Sequence, residues 1–153
     1  MEDLKVAPIR NGTVIDHIKQ GQALNVLRIL GVNEGNVDSS IIVAMHVPSR
    51  CDEGWKDIVK VEDRELDQST LDKIALIAPN ATIVIIRDYF VAEKKKVRLN
   101  DHVKGLARCS NPNCITNMGE PIEPEFDIVC LNPPTLRCMY CERNITDISN
   151  NLL

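Results

Sequence analysis

Four cysteines near the C-terminus, Cys109, Cys114, Cys138 and Cys141, constrain what this chain can fold into more than any other feature. They form two close pairs, C-S-N-P-N-C and C-M-Y-C, separated by 23 residues. Two short loops of this kind bring four soft ligands to tetrahedral corners and leave no open position for water or substrate, the pattern of a structural zinc site. Disulfides or ordinary core thiols are the alternative, since the chain holds six cysteines, an even number. The short paired spacings, and a start at Met1-Glu2-Asp3 unlike a secretory or transit signal, weigh for the metal. Cys51, in Ser49-Arg50-Cys51-Asp52-Glu53, and Cys130, after Phe126-Asp127-Ile128-Val129, have no partner at ligand spacing. Both are expected to be small buried or half-buried hydrophobes.

A chain of 153 residues suffices for one ordinary domain, or for one of about 100 residues plus a small one that buries little core alone. The metal pattern favours the second division: a domain over residues 1–100 held by apolar packing, and one over residues 101–153 that needs its metal to fold. No segment reaches the length of a membrane span, and thiols kept reduced for zinc imply a cytoplasmic protein with no membrane partner. Charge bears on partners. The first 100 residues carry 14 Lys and Arg against 15 Asp and Glu, and the remainder 4 against 7. A zinc module that binds nucleic acid needs a basic face to neutralise phosphates, and this one is acidic.

The first 100 residues alternate strand-like and helix-like patterns. Asn11-Gly12 opens an apolar run over Thr13-Val14-Ile15-Asp16-His17-Ile18, and Ala23, Val26, Leu27 and Leu30 follow at helical spacing, with Gly31 placed to end the helix. Residues 41–47 and 56–61 read as strands. Ser69 and Asp72 form a capping-box pattern ahead of the stripe Leu71, Ile74, Ala75 and Ala78, which Pro79-Asn80 ends. Thr82-Ile83-Val84-Ile85-Ile86 is apolar on both faces, hence a central strand, and is expected to continue through Arg87-Asp88-Tyr89-Phe90-Val91. The order β-α-β-β-α-β predicts an α+β, ferredoxin-like domain: an antiparallel sheet with two helices on one face. Lys94-Lys95-Lys96 and Asn100-Asp101 read as a polar connector, and the tail, with its Asn132-Pro133-Pro134 turn, as a small β-rich zinc domain.

No catalytic constellation emerges. His17, His46 and His102 lie in unrelated segments, no Gly-rich phosphate loop is present, and no Ser or Cys sits in a nucleophile-elbow context. The strand faces are more suggestive. In Lys56-Asp57-Ile58-Val59-Lys60-Val61 a period of two places Val59 and Val61 on one face and Lys56 and Lys60 on the other, while Val14 and Asp16 share a face of the first strand. Lysines beside a carboxylate suit a nucleotide, although pattern alone favours a solvated strand face with weak ion pairs. Tyr89 and Phe90 are adjacent, so one is expected to face the core and the other outward.

Five strings, taken together, carry a resemblance: Asn11-Gly12-Thr13-Val14-Ile15-Asp16-His17-Ile18, Lys56-Asp57-Ile58-Val59-Lys60-Val61-Glu62, Ala78-Pro79-Asn80-Ala81-Thr82, Cys109-Ser110-Asn111-Pro112-Asn113-Cys114-Ile115 and Cys138-Met139-Tyr140-Cys141-Glu142. In this order and with these gaps the chain closely resembles the aspartate carbamoyltransferase regulatory chain family over nearly its whole length. The resemblance implies a non-catalytic regulatory subunit in pyrimidine biosynthesis, with two catalytic trimers joined by three regulatory homodimers in a hetero-dodecamer. The N-terminal domain would bind nucleotide effectors, CTP typically inhibiting and ATP typically activating, and the zinc domain would grip the catalytic chain.

By the same resemblance, Asp16 and Lys60 match the ribose-contacting pair, Lys94 the phosphate-binding lysine, and Lys56 a lysine nearby. Val91 and His17 fall near the triphosphate, Ile9 and Tyr89 where backbone reads the base, and Asn111, Asn113 and Glu142 where the family faces the catalytic chain. Asn in a cysteine turn also commonly bonds its own backbone. Val84 stands where the bacterial form has Asn, and Val6-Ala7-Pro8-Ile9 lacks an acidic residue found there; both bear on nucleotide preference and effector synergy. Two other classes compete. A zinc-ribbon nucleic-acid adaptor, suggested by the cysteine pairs and Lys94 to Lys96, would show salt-sensitive DNA or RNA binding, and a free-standing carbamoyl-transfer enzyme would show turnover by the isolated chain.

Overall fold

The computed structural model describes residues 8–32, 39–50, 54–131 and 134–153, so Cys51 lies outside the described residues. The chain divides into two compact units, residues 1–97 and 98–153.

The first unit runs β1 (Gly12–Ile18), α1 (Ala23–Ile29), β2 (Ile41–Pro48), β3 (Trp55–Glu62), α2 (Gln68–Ile77), β4 (Thr82–Arg87) and β5 (Phe90–Lys96). All pairings are antiparallel, in the order β2-β3-β1-β4-β5. The first four strands have the ferredoxin-like order, and β5 adds a fifth. Alternation along β1, β3 and β4 separates the two faces. Thr13 and Ile15 of β1, Asp57, Val59 and Val61 of β3, and Ile83 and Ile85 of β4 are buried. They join Ala23 and Val26 of α1 and Leu71, Ile74 and Ala75 of α2 in the core. Gly31, at φ +81°, follows the α1 C-cap in the left-handed conformation that ends helices. Gly12 is required at its position: with φ +140°, a Cβ there would overlap the carbonyl oxygen of Val61.

Four expectations for this unit fail. Residues 82–91 are not one strand. Asp88 and Tyr89, at φ +51° and +69°, turn β4 back into β5, in the left-handed sense of a two-residue hairpin turn. The turn is secured from outside, by the Tyr89 N–H donating to Arg10 C=O (2.8 Å) and the Asp88 N–H to Asn11 Oδ1 (3.1 Å). Consequently Lys94, Lys95 and Lys96 are not a connector but part of an edge strand paired with β4. Tyr89 and Phe90 are both exposed, 65% and 76%, because a hairpin tip on an edge strand has no core side. The cap of α2 also moves: Asp67 Oδ1 accepts from the Thr70 N–H at 2.8 Å, which places Ser69 and Asp72 inside the helix.

The second unit is a four-stranded antiparallel sheet in the order β6 (His102–Lys104), β7 (Glu125–Leu131), β8 (Pro134–Cys138) and β9 (Asn144–Ile145). Its core is small: Val103, Phe126, Leu136, Ile145 and Ile148, together with three buried cysteines. Cys130 corrects another expectation, since it is exposed. The pairing of β7 with β8 slips between Ile128 and Cys130, and a strand bulge of this kind breaks the alternation that would turn a residue inward.

Candidate metal centre and cationic sheet face

The four sulfurs of Cys109, Cys114, Cys138 and Cys141 all lie within 4.8 Å of one another. Cys109 Sγ is 3.6 Å from Cys141 Sγ, and Cys114 Sγ is 3.7 Å from Cys138 Sγ. A disulfide holds its sulfurs at about 2.05 Å. Four thiolates at a tetrahedral Zn–S distance of about 2.3 Å stand about 3.8 Å apart, so the separations suit a metal tetrahedron. Local structure sets these positions. Cys138 ends β8, and the Glu142 N–H, on a residue at φ +62°, donates back to Cys138 C=O (3.0 Å), closing the C-M-Y-C loop. Sulfur also accepts directly, from Thr116 Oγ1–H at Cys114 (3.2 Å) and from the Tyr140 N–H at Cys138 (3.4 Å). Burial pushes the Cys109 thiol up to about 12. A divalent cation at the centre supplies the charge that holds such a thiol as thiolate.

Asn111 sits inside the first cysteine loop. Its Oδ1 accepts from the Asn113 N–H (3.1 Å), and its carbonyl accepts from the Cys114 N–H (3.0 Å). It therefore has the backbone-capping role expected of Asn in such a turn. Asn113 and Glu142 are exposed on the two loops. Ile115 and Met118, after the first loop, and Met139 and Tyr140, within the second, are exposed apolar side chains. Asn117 went unread in the sequence: its Nδ2 donates to Cys109 C=O and Asn111 C=O, each at 2.8 Å, tying the loop across its base. No spacing rule marks it, because its partners are carbonyls of a loop whose shape exists only once folded.

The other cluster lies on the first sheet, on the face opposite the helices. Register builds it strand by strand. Lys60 of β3 is opposite Val14 of β1, Val14 is opposite Val84 of β4, and Val84 is opposite Lys94 of β5. Two lysines thus share one row, with two valines between them, about 14 Å apart at three strand spacings. In the next row Asp16 is opposite Thr82 and Thr82 opposite Lys96. Pairing of β1 with β3 slips between Ile15 and Ile18, and His17 occupies the bulge at φ +54°. The Asp16 carboxylate accepts from the His17 N–H (2.7 Å) and pairs with Lys56 Nζ at 2.9 Å. Burial lowers the Lys60 pKa, and the nearby Asp16 charge opposes that shift.

Of the residues singled out in the sequence, Asp16, Lys56, Lys60, Val84 and Lys94 are brought onto this one face. Val91, opposite Ile86, is 60% exposed; Tyr89 is at the hairpin tip, and Ile9 is buried beside the Arg10 carbonyl that holds that tip. The Asp16 charge acts on Lys60, and its carboxylate contacts Lys56 directly. A bulge at a histidine, which carries no glycine signal, hid that contact from period-two counting. Asp57 was missed as well. Its buried carboxylate accepts from the N–H groups of Gly21 (3.0 Å), Ala23 (3.1 Å) and His46 (2.9 Å), joining the start of α1 and the β2 bulge to β3.

The fold and these clusters define a class: a two-domain chain whose first domain presents a cationic sheet face and whose second is a small metal-binding domain. Comparison with known proteins resolves the class. A family profile described as the aspartate carbamoyltransferase regulatory chain, allosteric domain, matches residues 4–98, and its metal binding domain counterpart matches residues 101–150. Proteins named aspartate carbamoyltransferase regulatory chain are similar throughout. That of Methanothrix thermoacetophila is 56% identical over 145 residues, covering 95% of this chain and 93% of the relative. The protein from Thermoplasma volcanium is 51% identical over 144 residues, covering 94% and 93%. For Pyrococcus furiosus the identity is 47% over 147 residues, covering 96% and 95%. The chain belongs to the aspartate carbamoyltransferase regulatory chain family, and it is a regulatory rather than a catalytic chain. Among the described residues no helix is long and apolar enough to cross a membrane.

Proposed function

We propose that this chain binds nucleoside triphosphates, CTP and ATP, on the helix-free face of its first sheet, and relays their binding to aspartate carbamoyltransferase catalytic trimers through its zinc-stapled second domain. The observation that carries this reading is the row Lys60–Val14–Val84–Lys94 beside the Asp16–Lys56 pair. Ammonium groups on one face suit phosphates, a carboxylate suits ribose hydroxyls, and two valines between the cations offer an apolar floor. In this reading Asp16, Lys56, Lys60 and Lys94 hold sugar and phosphates, with His17 and Val91 near the triphosphate and the backbone at Ile9 and Tyr89 against the base. An effector acts only through unequal affinity for two quaternary states, so the chain serves as a lever between them.

Zinc is the metal favoured by four thiolates at tetrahedral spacing. Its role is to hold the loops that carry Asn111, Asn113 and Glu142, with exposed Ile115, Met118, Met139 and Tyr140 on or beside them, against the catalytic chain. The domains divide at about residue 100. Regulatory chains would pair as homodimers, three joining two trimers in a cytoplasmic hetero-dodecamer.

The test is gel filtration with light scattering of the chain mixed with its cognate catalytic trimer, with zinc and after metal stripping, followed by calorimetric titration of CTP and ATP. A large complex that forms only with zinc is expected. Lys94→Ala should weaken nucleotide binding about tenfold or more, the loss of one charge-assisted contact of about 1.5–3 kcal/mol, without altering assembly. Separate elution of zinc-loaded chain and trimer, or nucleotide affinity indifferent to Lys94, would overturn the corresponding half of the reading.

A further inference from the structure

The sheet of the second unit has a charged face that neither the metal nor the effector reading uses. On β6, His102 is opposite Asp127 of β7. Its Nδ1 is 3.1 Å from Asp127 Oδ1, and its Nε2 is 3.0 Å from Glu125 Oε2. Carboxylates accept hydrogen bonds and do not donate them. A neutral imidazole has a single N–H, so it would satisfy one carboxylate and turn a lone pair toward the other. Only the imidazolium, with an N–H on each nitrogen, fits both contacts.

The surroundings complete an alternation of charge. Lys104 of β6 is opposite Glu125, its Nζ 3.4 Å from Glu125 Oε1 and 3.9 Å from Glu123 Oε2. Arg137 of β8 is opposite Asp127 on the other side. Acidic β7 is therefore flanked by cations from both neighbours, and the β6 contribution is half supplied by a group that loses its charge near neutrality.

Within its sheet, strand β6 pairs with β7 alone. It is three residues long, lies at the sheet edge and buries a single side chain, Val103. Backbone hydrogen bonds run from the Ile128 N–H to Asp101 C=O and from the Gly105 N–H to Pro124 C=O, each at 2.9 Å. It is also the first strand after the boundary between the two units at Val97 and Arg98.

We propose that the protonated His102 side chain fastens β6 to β7, so that the strand by which the chain enters its metal-binding unit is secured by a proton. The hydrogen bond to Asp127 is the largest influence raising the His102 pKa, with Glu125 adding to it, against a smaller opposing effect of desolvation. A group whose folded-state pKa is raised contributes its stabilisation fully below the unfolded value of about 6.5 and loses it as pH rises through the folded value. Fastening is thus complete in mild acid and slackens across and above neutrality. Any effect on control of the catalytic chain rests on the allosteric reading; the fastening itself does not.

The experiment uses the full, metal-loaded chain. NMR titration of the His102 ring is combined with amide hydrogen exchange of Gly105 and Ile128 from pH 5.5 to 8.5, corrected for intrinsic rates, in wild type, His102→Gln and His102→Lys. The wild-type ring should titrate above the ordinary histidine value, and protection of both amides should fall through that titration by about two- to fivefold, the range of exposed ion pairs. His102→Lys should stay protected across the range, and His102→Gln should be weakly protected throughout, with metal content unchanged in both. Titration at or below the ordinary value, protection that ignores the titration, or an unchanged pH dependence in His102→Lys would overturn the proposal. The wild-type measurement alone decides it if a variant fails to fold.

Discussion

At the scale of residues, two kinds of position matter, and only one could be read in advance. The cysteines announce themselves, because ligand spacing is local and metal geometry leaves little freedom. Asp57 does not, since an acid on the inward parity of a strand looks like a fault in the pattern. Its burial is resolved by backbone donors 11 to 36 residues away. Replacing it with Ala would strand three backbone N–H groups at about 1–3 kcal/mol each for those left buried. We expect Asp57→Ala to destabilise the first unit by about 3 kcal/mol or more, measured as a lowered urea midpoint for the zinc-loaded chain. Asp57→Asn, which keeps an acceptor, should lose less; equal stability of Asp57→Ala and wild type would show that water replaces the carboxylate.

At the scale of elements, the strands and helices of the first 87 residues were legible because alternation and helical periodicity were clean. Where legibility stopped, the reason was an unusual backbone. The turn at Asp88 and Tyr89 lacks the Gly or Asn that ordinarily marks it, so the sequence carries no signal for the edge strand that follows. The two edges of the sheet differ in kind. Strand β5 ends in Lys94, Lys95 and Lys96, whereas β2 offers Ile41, Ile42, Val43, Ala44 and Met45. Lysine-rich edges resist pairing with another strand, so the proposed homodimer would pair through β2. Ser40 C=O accepts from the Glu62 N–H at 2.9 Å, so Ile42 and Ala44 bond inward to β3 while Val43 directs its N–H and C=O outward. Val43→Pro should accordingly leave the internal ladder intact and shift the chain from dimer to monomer by light scattering. A dimer that survives this substitution would place the contact elsewhere.

For the molecule as a whole, the two compact units rest on different foundations. Residues 8–97 bury an apolar core between sheet and helices, while residues 98–153 have a small core gathered about four thiols. Structural zinc in small domains contributes roughly 10–16 kcal/mol of apparent binding free energy, more than such a core supplies. Metal stripping should therefore abolish one of two transitions in scanning calorimetry and leave the other near its original temperature. Loss of both together would mean that the first unit depends on the second. The cysteines imply a module that cannot stand without its ion, and the second compact unit, Arg98–Leu153, contains all four of them. The exposure of Ile115, Met118, Met139 and Tyr140 was not legible, since exposure is set by how the loops fold.

The lysines of β5 also set a valence. A two-fold contact through β2 would join two five-stranded sheets and leave a β5 strand at each outer margin. Were those margins as apolar as β2, each pair could recruit another and the sheets would grow into a fibre. Three consecutive ammonium groups on each terminal strand repel a like margin, so chain-to-chain addition through the proposed contact would stop at two copies.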